Sequence, residues 1–207
     1  PLRKRLGGRI KVWVSGGSHL DGQITRYYHE LGFPLRQGYG LTETSPLVCV
    51  QESFDTALES VGKPVEHVEV KVHQPDKNGQ GEIWVRGPNV MLGYEDAEQT
   101  AKVLEDGWFK TGDIGSIDSE GRVTLTGRSK RLIVTEAGKN VYPEELETLL
   151  ERNPMVKEAG VLEADMKPVC VLSMNGEAPE EAARRALKEY NALVSKHNQI
   201  TRFAVVE

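Results

Sequence analysis

The stretch IKVWVSGGSHLDGQITRYYHELGFPLRQGYG, residues 10–40, decides the fold class. Residues 10–15 are a short apolar, β-branched run that ends on Gly16-Gly17. Asp21 is placed to cap a helix, along which Ile24, Tyr27, Tyr28 and Leu31 recur at helical spacing. Gly32 stops that helix before Pro34. A second short strand, residues 34–37, leads to Gly38-Tyr39-Gly40. Strand–helix–strand with glycines after both strands reads as part of an α/β layer, where ligands sit beyond the carboxyl ends of the strands.

Downstream the texture changes. Residues 65–72, 81–86, 114–117 and 122–126 are short strands between Gly, Asn, Asp and Pro turns, interrupted by a helical segment at 97–104. This predicts a small β-barrel over 61–128. Past Gly127, residues 132–135 and 140–142 pattern as a hairpin. Pro143 at a helix start, with Glu144 and Glu145 in the first turn and Leu146, Leu149 and Leu150 on one face, signals a helix. Strands near 156–162, 169–173 and 203–206 and an amphipathic helix over 179–197 complete a small α+β region, expected to lay helices over an antiparallel sheet. The divisions are therefore 1–60, 61–128 and 129–207.

Of 21 glycines, 19 lie at or before Gly138, which separates a turn-rich, ligand-approached part from an ordinary compact one. A net charge of −5 gives no general attraction to nucleic acid. The early basic residues Arg3, Lys4, Arg5, Arg9 and Lys11 read as a solvated helix end. Cys49 and Cys170 have no metal-like spacing and fit reduced, buried thiols in a cytoplasmic protein. No run approaches 18 apolar residues, and the five histidines form no zinc motif.

Three clusters carry chemistry. In Gly38-Tyr39-Gly40-Leu41-Thr42-Glu43-Thr44, glycines admit a ligand, Tyr39 offers a flat face, Thr42 a hydroxyl and Glu43 a ligand for a hard cation. In Gly107-Trp108-Phe109-Lys110-Thr111-Gly112-Asp113, a carboxylate after a Thr-Gly turn can chelate two ribose hydroxyls. The third, GRSKR at 127–131 and EAGKNVYPEE at 136–145, lies on the composition boundary where a hinge belongs. Each cluster alone has an ordinary reading as a turn, a capped β-turn or a basic surface loop.

Taken together and in this order, the clusters resemble the signatures of the adenylate-forming superfamily of acyl-CoA synthetases, luciferases and peptide-synthetase adenylation domains. The resemblance runs from about Gly7 to Glu207 and includes Ser15-Gly16-Gly17-Ser18 and Gly81-Glu82-Ile83. It implies an α/β and β-barrel remnant of a large ATP-binding domain, followed by a small α+β C-terminal lid. By the same resemblance Gly16, Gly17 and Ser18 lie beside adenine and the acyl group. Tyr39 stacks on adenine beside Gly40, Thr42 bonds the α-phosphate and Glu43 ligates Mg2+. Asp113 accepts from the ribose, Arg128 reaches ribose or phosphate, and Lys130 is the hinge. Gly138 and Lys139 line the coenzyme A channel. Ser18-His19 departs from the family, which has a small residue and then proline there.

The implied reaction joins a carboxylate to ATP, giving acyl-AMP and pyrophosphate, and then passes the acyl group to coenzyme A. Leu41 and GKNVYPEE resemble fatty acyl-CoA synthetases more than amino-acid activators, so long-chain fatty acid is the expected substrate. Two alternatives stand beside it: an amino-acid or aryl-acid adenylating enzyme, and a non-catalytic nucleotide-binding module. The expected partners are small molecules, with room for peripheral membrane contact of a parent enzyme. The 207 residues hold neither the family's phosphate loop nor its C-terminal catalytic lysine. The chain alone is therefore expected to be inactive.

Overall fold

The computed structural model describes residues 2–5, 7–176 and 178–206. The chain forms two compact units, Pro1–Leu125 and Thr126–Glu207. It is a mixed α/β structure in which a curled, half-barrel sheet follows a small α/β layer. No helix among the described residues is long and apolar enough to cross a membrane.

The first unit opens with α1 (Leu2–Arg5), β1 (Trp13–Ser15), α2 (Gly22–Glu30) and β2 (Leu35–Gly40). Asp21 caps α2 by accepting from the Gln23 amide at 2.7 Å. β1 and β2 pair in parallel, Ser15 opposite Gln37, so the Gly16–Ser18 and Leu41–Thr44 segments leave the same edge of the sheet. β3 (Leu47–Val50) and β4 (Lys63–Pro64) extend it antiparallel. Trp13 stacks on Phe33 with ring centroids 5.0 Å apart and packs the layer against Tyr28 of α2.

The half-barrel comprises β5 (Glu69–His73), β6 (Gly81–Arg86), β7 (Leu104–Glu105), β8 (Trp108–Ile117) and β9 (Val123–Arg128), with α3 (Ala97–Val103) in the connection. Ile83, Val85 and Val123 are fully buried against Val48 and Cys49 of the first sheet. Gly62 bridges to Val123 and ties the two sheets together. Trp84 stacks on the His73 ring, at 3.8 Å between centroids, and its ring also meets the Lys71 ammonium at 4.7 Å. Such cross-strand cation–π pairs stabilise neighbouring strands.

The second unit contains the hairpin β10 (Ile133–Val134) and β11 (Asn140–Val141), then α4 (Pro143–Glu151), β12 (Val156–Ala164), β13 (Lys167–Met174), α5 (Pro179–Leu193) and β14 (Phe203–Val206). Leu146 and Leu150 of α4, Leu172 of β13, and Ala183, Leu187 and Tyr190 of α5 form its core. Two expectations are corrected here. The sheet is mixed, because β12 and β13 are antiparallel whereas β13 and β14 run parallel. The helix α5 lies between β13 and β14, and a crossover of that kind returns the chain in the same direction. The helix also ends at Leu193, so Val194 and His197 fall in the turn after it.

Cys49 and Cys170 are buried free thiols. Burial pushes both up to about 12, well above the usual thiol value. The fold thus favours the neutral thiol; that contribution is whole below the ordinary thiol pKa and is lost as pH rises toward 12. In the native chain neither thiol should react with a disulfide reagent at mildly alkaline pH, and both should react in denaturant. Fast native labelling of either would contradict this packing.

Candidate functional site

The first unit gathers three of the sequence-identified segments. Gly16, Gly17 and Ser18 are exposed at the end of β1. A Cβ on Gly16 would stand 3.1 Å from the Gly38 carbonyl, so the two glycine segments are in contact. Beyond β2, Leu41 leads into a single 3-10 turn, Thr42–Thr44. The buried Thr44 hydroxyl accepts from the Leu41 amide at 3.0 Å and donates to the Pro46 carbonyl at 2.9 Å. The turn is closed by its own side chain, leaving Thr42 exposed and Glu43 half-buried.

Asp113 lies inside β8 and not after it. The register between β6 and β8 slips between Glu82 and Trp84, and Gly112 takes a positive φ of 72°. A bulge at this point re-aims the carboxylate without ending the strand. Thr111 shapes the bulge, since its hydroxyl donates to the Ile83 carbonyl at 2.7 Å and accepts from the Asp113 amide at 3.0 Å. The motif read as a turn is thus a bulged strand, because cross-strand pairing with β6 supplies partners that a local reading cannot see.

Tyr39 and Asp113 meet although 74 positions separate them, with the phenol donating to Asp113 Oδ2 at 2.5 Å. Tyr39 is 8% and Asp113 6% exposed. Burial first, and then the Asp113 charge, raise the Tyr39 phenol far above its ordinary range, so it stays a donor. The ring is mostly packed in the core, which leaves little flat face for a ligand.

Glu43 is held in a comparable way. Its Oε1 accepts from the Tyr94 hydroxyl at 2.7 Å, and its carbonyl accepts from the Met91 amide at 2.8 Å. The Asn89 amide donates to the Thr44 carbonyl at 3.0 Å and the Leu47 carbonyl at 2.8 Å. The hydrogen bond to Glu43 raises the Tyr94 phenol, with burial adding to it. Sequence reasoning passed over residues 89–94. Their only local signal is GPNVMLGY, a Gly-, Pro- and Asn-rich loop ending in an aromatic residue.

Among the described residues no group of three or more His, Cys, Asp or Glu could hold a metal ion. Glu43 offers a single half-buried carboxylate, of which Oε1 accepts from Tyr94, and a carboxylate oxygen is the kind of donor that magnesium takes.

In the second unit, Arg128 and Lys130 are exposed at and just after the end of β9. Arg131 anchors the segment to α4, donating to Glu147 Oε1 at 2.6 Å, Glu144 Oε1 at 3.1 Å and the Val161 carbonyl at 3.3 Å. Gly138 and Lys139 occupy an exposed loop between β10 and β11. Gly138 has a φ of 67°, and the Thr135 hydroxyl accepts from the Lys139 amide at 3.1 Å. The Lys139 side chain faces outward from a loop that its own backbone closes.

A family model described as AMP-binding enzyme matches residues 2–95. The chain is 39% identical to the long-chain-fatty-acid–CoA ligase FadD15 of Mycobacterium bovis over 93% of this chain and 32% of that one. It is 37% identical to the indoleacetate–CoA ligase of Aromatoleum aromaticum over 74% of this chain and 31% of that one. The structure of the o-succinylbenzoate CoA synthetase of Bacillus subtilis in complex with its acyl-adenylate superposes with a TM-score of 0.85. It is 30% identical over 99% of this chain and 45% of that one. The same synthetase has been solved with ATP and magnesium ion, with a TM-score of 0.83. The chain thus spans about a third of the length of the curated relatives it matches. Residues 2–95 match the AMP-binding enzyme family, and the motifs, fold and acyl–CoA ligase relatives across the chain are consistent with a fragment of the adenylate-forming superfamily.

Proposed function

We propose that this chain is the part of an acid–thiol ligase that presents nucleotide to a carboxylic acid and then carries the lid, with long-chain fatty acid as the acid. The observation that carries the reading is the pair of tyrosine-held carboxylates, Asp113 and Glu43, beside the glycine-lined ends of β1 and β2. In this reading Asp113 accepts from the ribose hydroxyls, Thr42 donates to the α-phosphate, Gly16, Gly17 and Ser18 lie beside adenine and the acyl group, and Gly40 contributes its backbone next to Tyr39. Tyr39 meets adenine with the small part of its ring that is exposed. Glu43 holds magnesium, which when bound neutralises phosphate charge.

Acyl-AMP forms when a carboxylate oxygen bonds the α-phosphorus and the bond to pyrophosphate breaks. Thioester forms when the coenzyme A sulfur bonds the acyl carbon and AMP leaves. The side chains named here position and neutralise, and none becomes a covalent nucleophile. We assign the pivot to Lys130, a ribose or phosphate contact to Arg128, and the coenzyme A channel to the Gly138–Lys139 loop. Relatives acting on indoleacetate and o-succinylbenzoate favour a second reading, an aryl acid.

Pyrophosphate release by the whole protein separates the two acids. Palmitate should exceed indoleacetate and 2-succinylbenzoate by at least about tenfold in kcat/KM. Preference for an aryl acid would assign the second reading. Asp113→Ala should raise the KM for ATP about 10- to 100-fold, the size of a lost charged hydrogen bond. An unchanged KM would remove Asp113 from the nucleotide site.

A further inference from the structure

We propose that the Tyr39 hydroxyl is the positioning group for Asp113 and thereby sets the chain's preference for a ribose over a deoxyribose nucleotide. The inference rests on the ribose reading of Asp113 given above. A carboxylate chelates a vicinal diol at less conformational cost when its plane is fixed before the sugar arrives. Asp113 is held at two points, its backbone and its carboxylate. The Thr111 hydroxyl, itself bonded to the Ile83 carbonyl, holds the Asp113 amide in the bulge. The Tyr39 hydroxyl holds Oδ2 at 2.5 Å.

Tyr39 is well suited to hold a carboxylate still. Its ring is 8% exposed and packs among Val48, Cys49, Ile83 and Val85 of two sheets. The neighbouring Gly38 and Gly40 lie on the same strand, which places the phenol at the glycine-lined edge. Its raised phenol pKa keeps the proton in place across the working range of any cytosolic ligase. A phenylalanine would supply the same apolar packing without the donor. The hydroxyl therefore contributes something that core packing does not require.

Tyr39→Phe tests this. The wild-type and variant chains, carrying 13C-labelled aspartate, are titrated with AMP and with 2′,3′-dideoxy-AMP and followed by NMR. Wild type should prefer AMP over dideoxy-AMP, and the variant should lose about five- to tenfold of that ratio. Equal weakening of both nucleotides, or an intact preference, overturns the proposal. If wild type binds neither nucleotide, the ribose reading fails for this chain, and the Asp113 carboxyl resonance decides the positioning role. It should shift and broaden in Tyr39→Phe, and an unmoved resonance overturns that role. Should the variant not fold, the native chain still answers. The Tyr39 hydroxyl proton should be a slowly exchanging resonance with a cross-peak to Asp113, and its absence refutes the bond.

Discussion

Gly40→Ala is expected to destabilise the first unit by about 3–5 kcal/mol and to detach the Thr42–Thr44 turn from the sheet. The backbone φ of Gly40 is not unusual, so the argument is one of space. A Cβ built there lies 1.6 Å from the Pro46 carbonyl oxygen and 3.0 Å from the Leu47 Cα. Neither atom belongs to a side chain that can rotate away. Strand β3 would have to retreat at the point where its register with β2 already shifts, between Tyr39 and Gly40. That retreat also pulls the Pro46 carbonyl from the Thr44 hydroxyl, the bond that closes the turn. Trp13, Trp84 and Trp108 all lie in the first unit and are the chain's three tryptophans, so fluorescence-detected urea unfolding reports that unit. Gly160→Ala, in the second unit, is the control for a glycine with open space around it, and its unfolding is followed by circular dichroism. Its Cβ would meet only the Val171 carbonyl, at 4.0 Å, and should be near neutral. An unfolding midpoint for Gly40→Ala equal to wild type would show that the turn is not built as described.

The second large effect comes from a polar side chain in the core. Gln51 is 1% exposed and joins three segments. Its Oε1 accepts from the Gln37 amide at 2.7 Å, and its amide group donates to the Ser60 carbonyl at 2.6 Å. Leucine has similar bulk but leaves a buried N–H and a buried carbonyl without that partner. Each loss costs about 1–3 kcal/mol, so Gln51→Leu should lose about 3–4 kcal/mol. Gln51→Glu separates hydrogen bonding from shape. A buried carboxylate there has its pKa raised by desolvation, and only the protonated acid can donate to Ser60. The sign follows from linkage: the protonated form is stabilising, so this variant should regain stability as pH falls and lose it as pH rises through the raised pKa. A Gln51→Glu stability that is flat with pH would refute the donor role of the side chain.

Legibility in the sequence followed the range of the interactions. The Asp21 cap, the Pro143 helix start and the apolar faces of α4 and α5 were readable because each depends on residues within one or two turns. The glycine segments after β1 and β2 were readable for the same reason, as strand ends marked by residues that lack a Cβ. The Thr111–Asp113 bulge was not, because it exists only in the pairing of β8 with β6. The parallel placement of β14 was implicit in the order strand–helix–strand, but period and composition carry no strand direction.

By itself the sequence determined the order and type of most elements, which helix faces are apolar, and the family that the motifs resemble. The tertiary structure alone decided that Tyr39 meets Asp113, that Tyr94 meets Glu43, and that Gln51 lies at the centre of a buried hydrogen-bond junction. The physical reason is that backbone preference and hydrophobic period are local quantities. A buried donor, in contrast, takes whichever acceptor the packing of distant strands brings within reach.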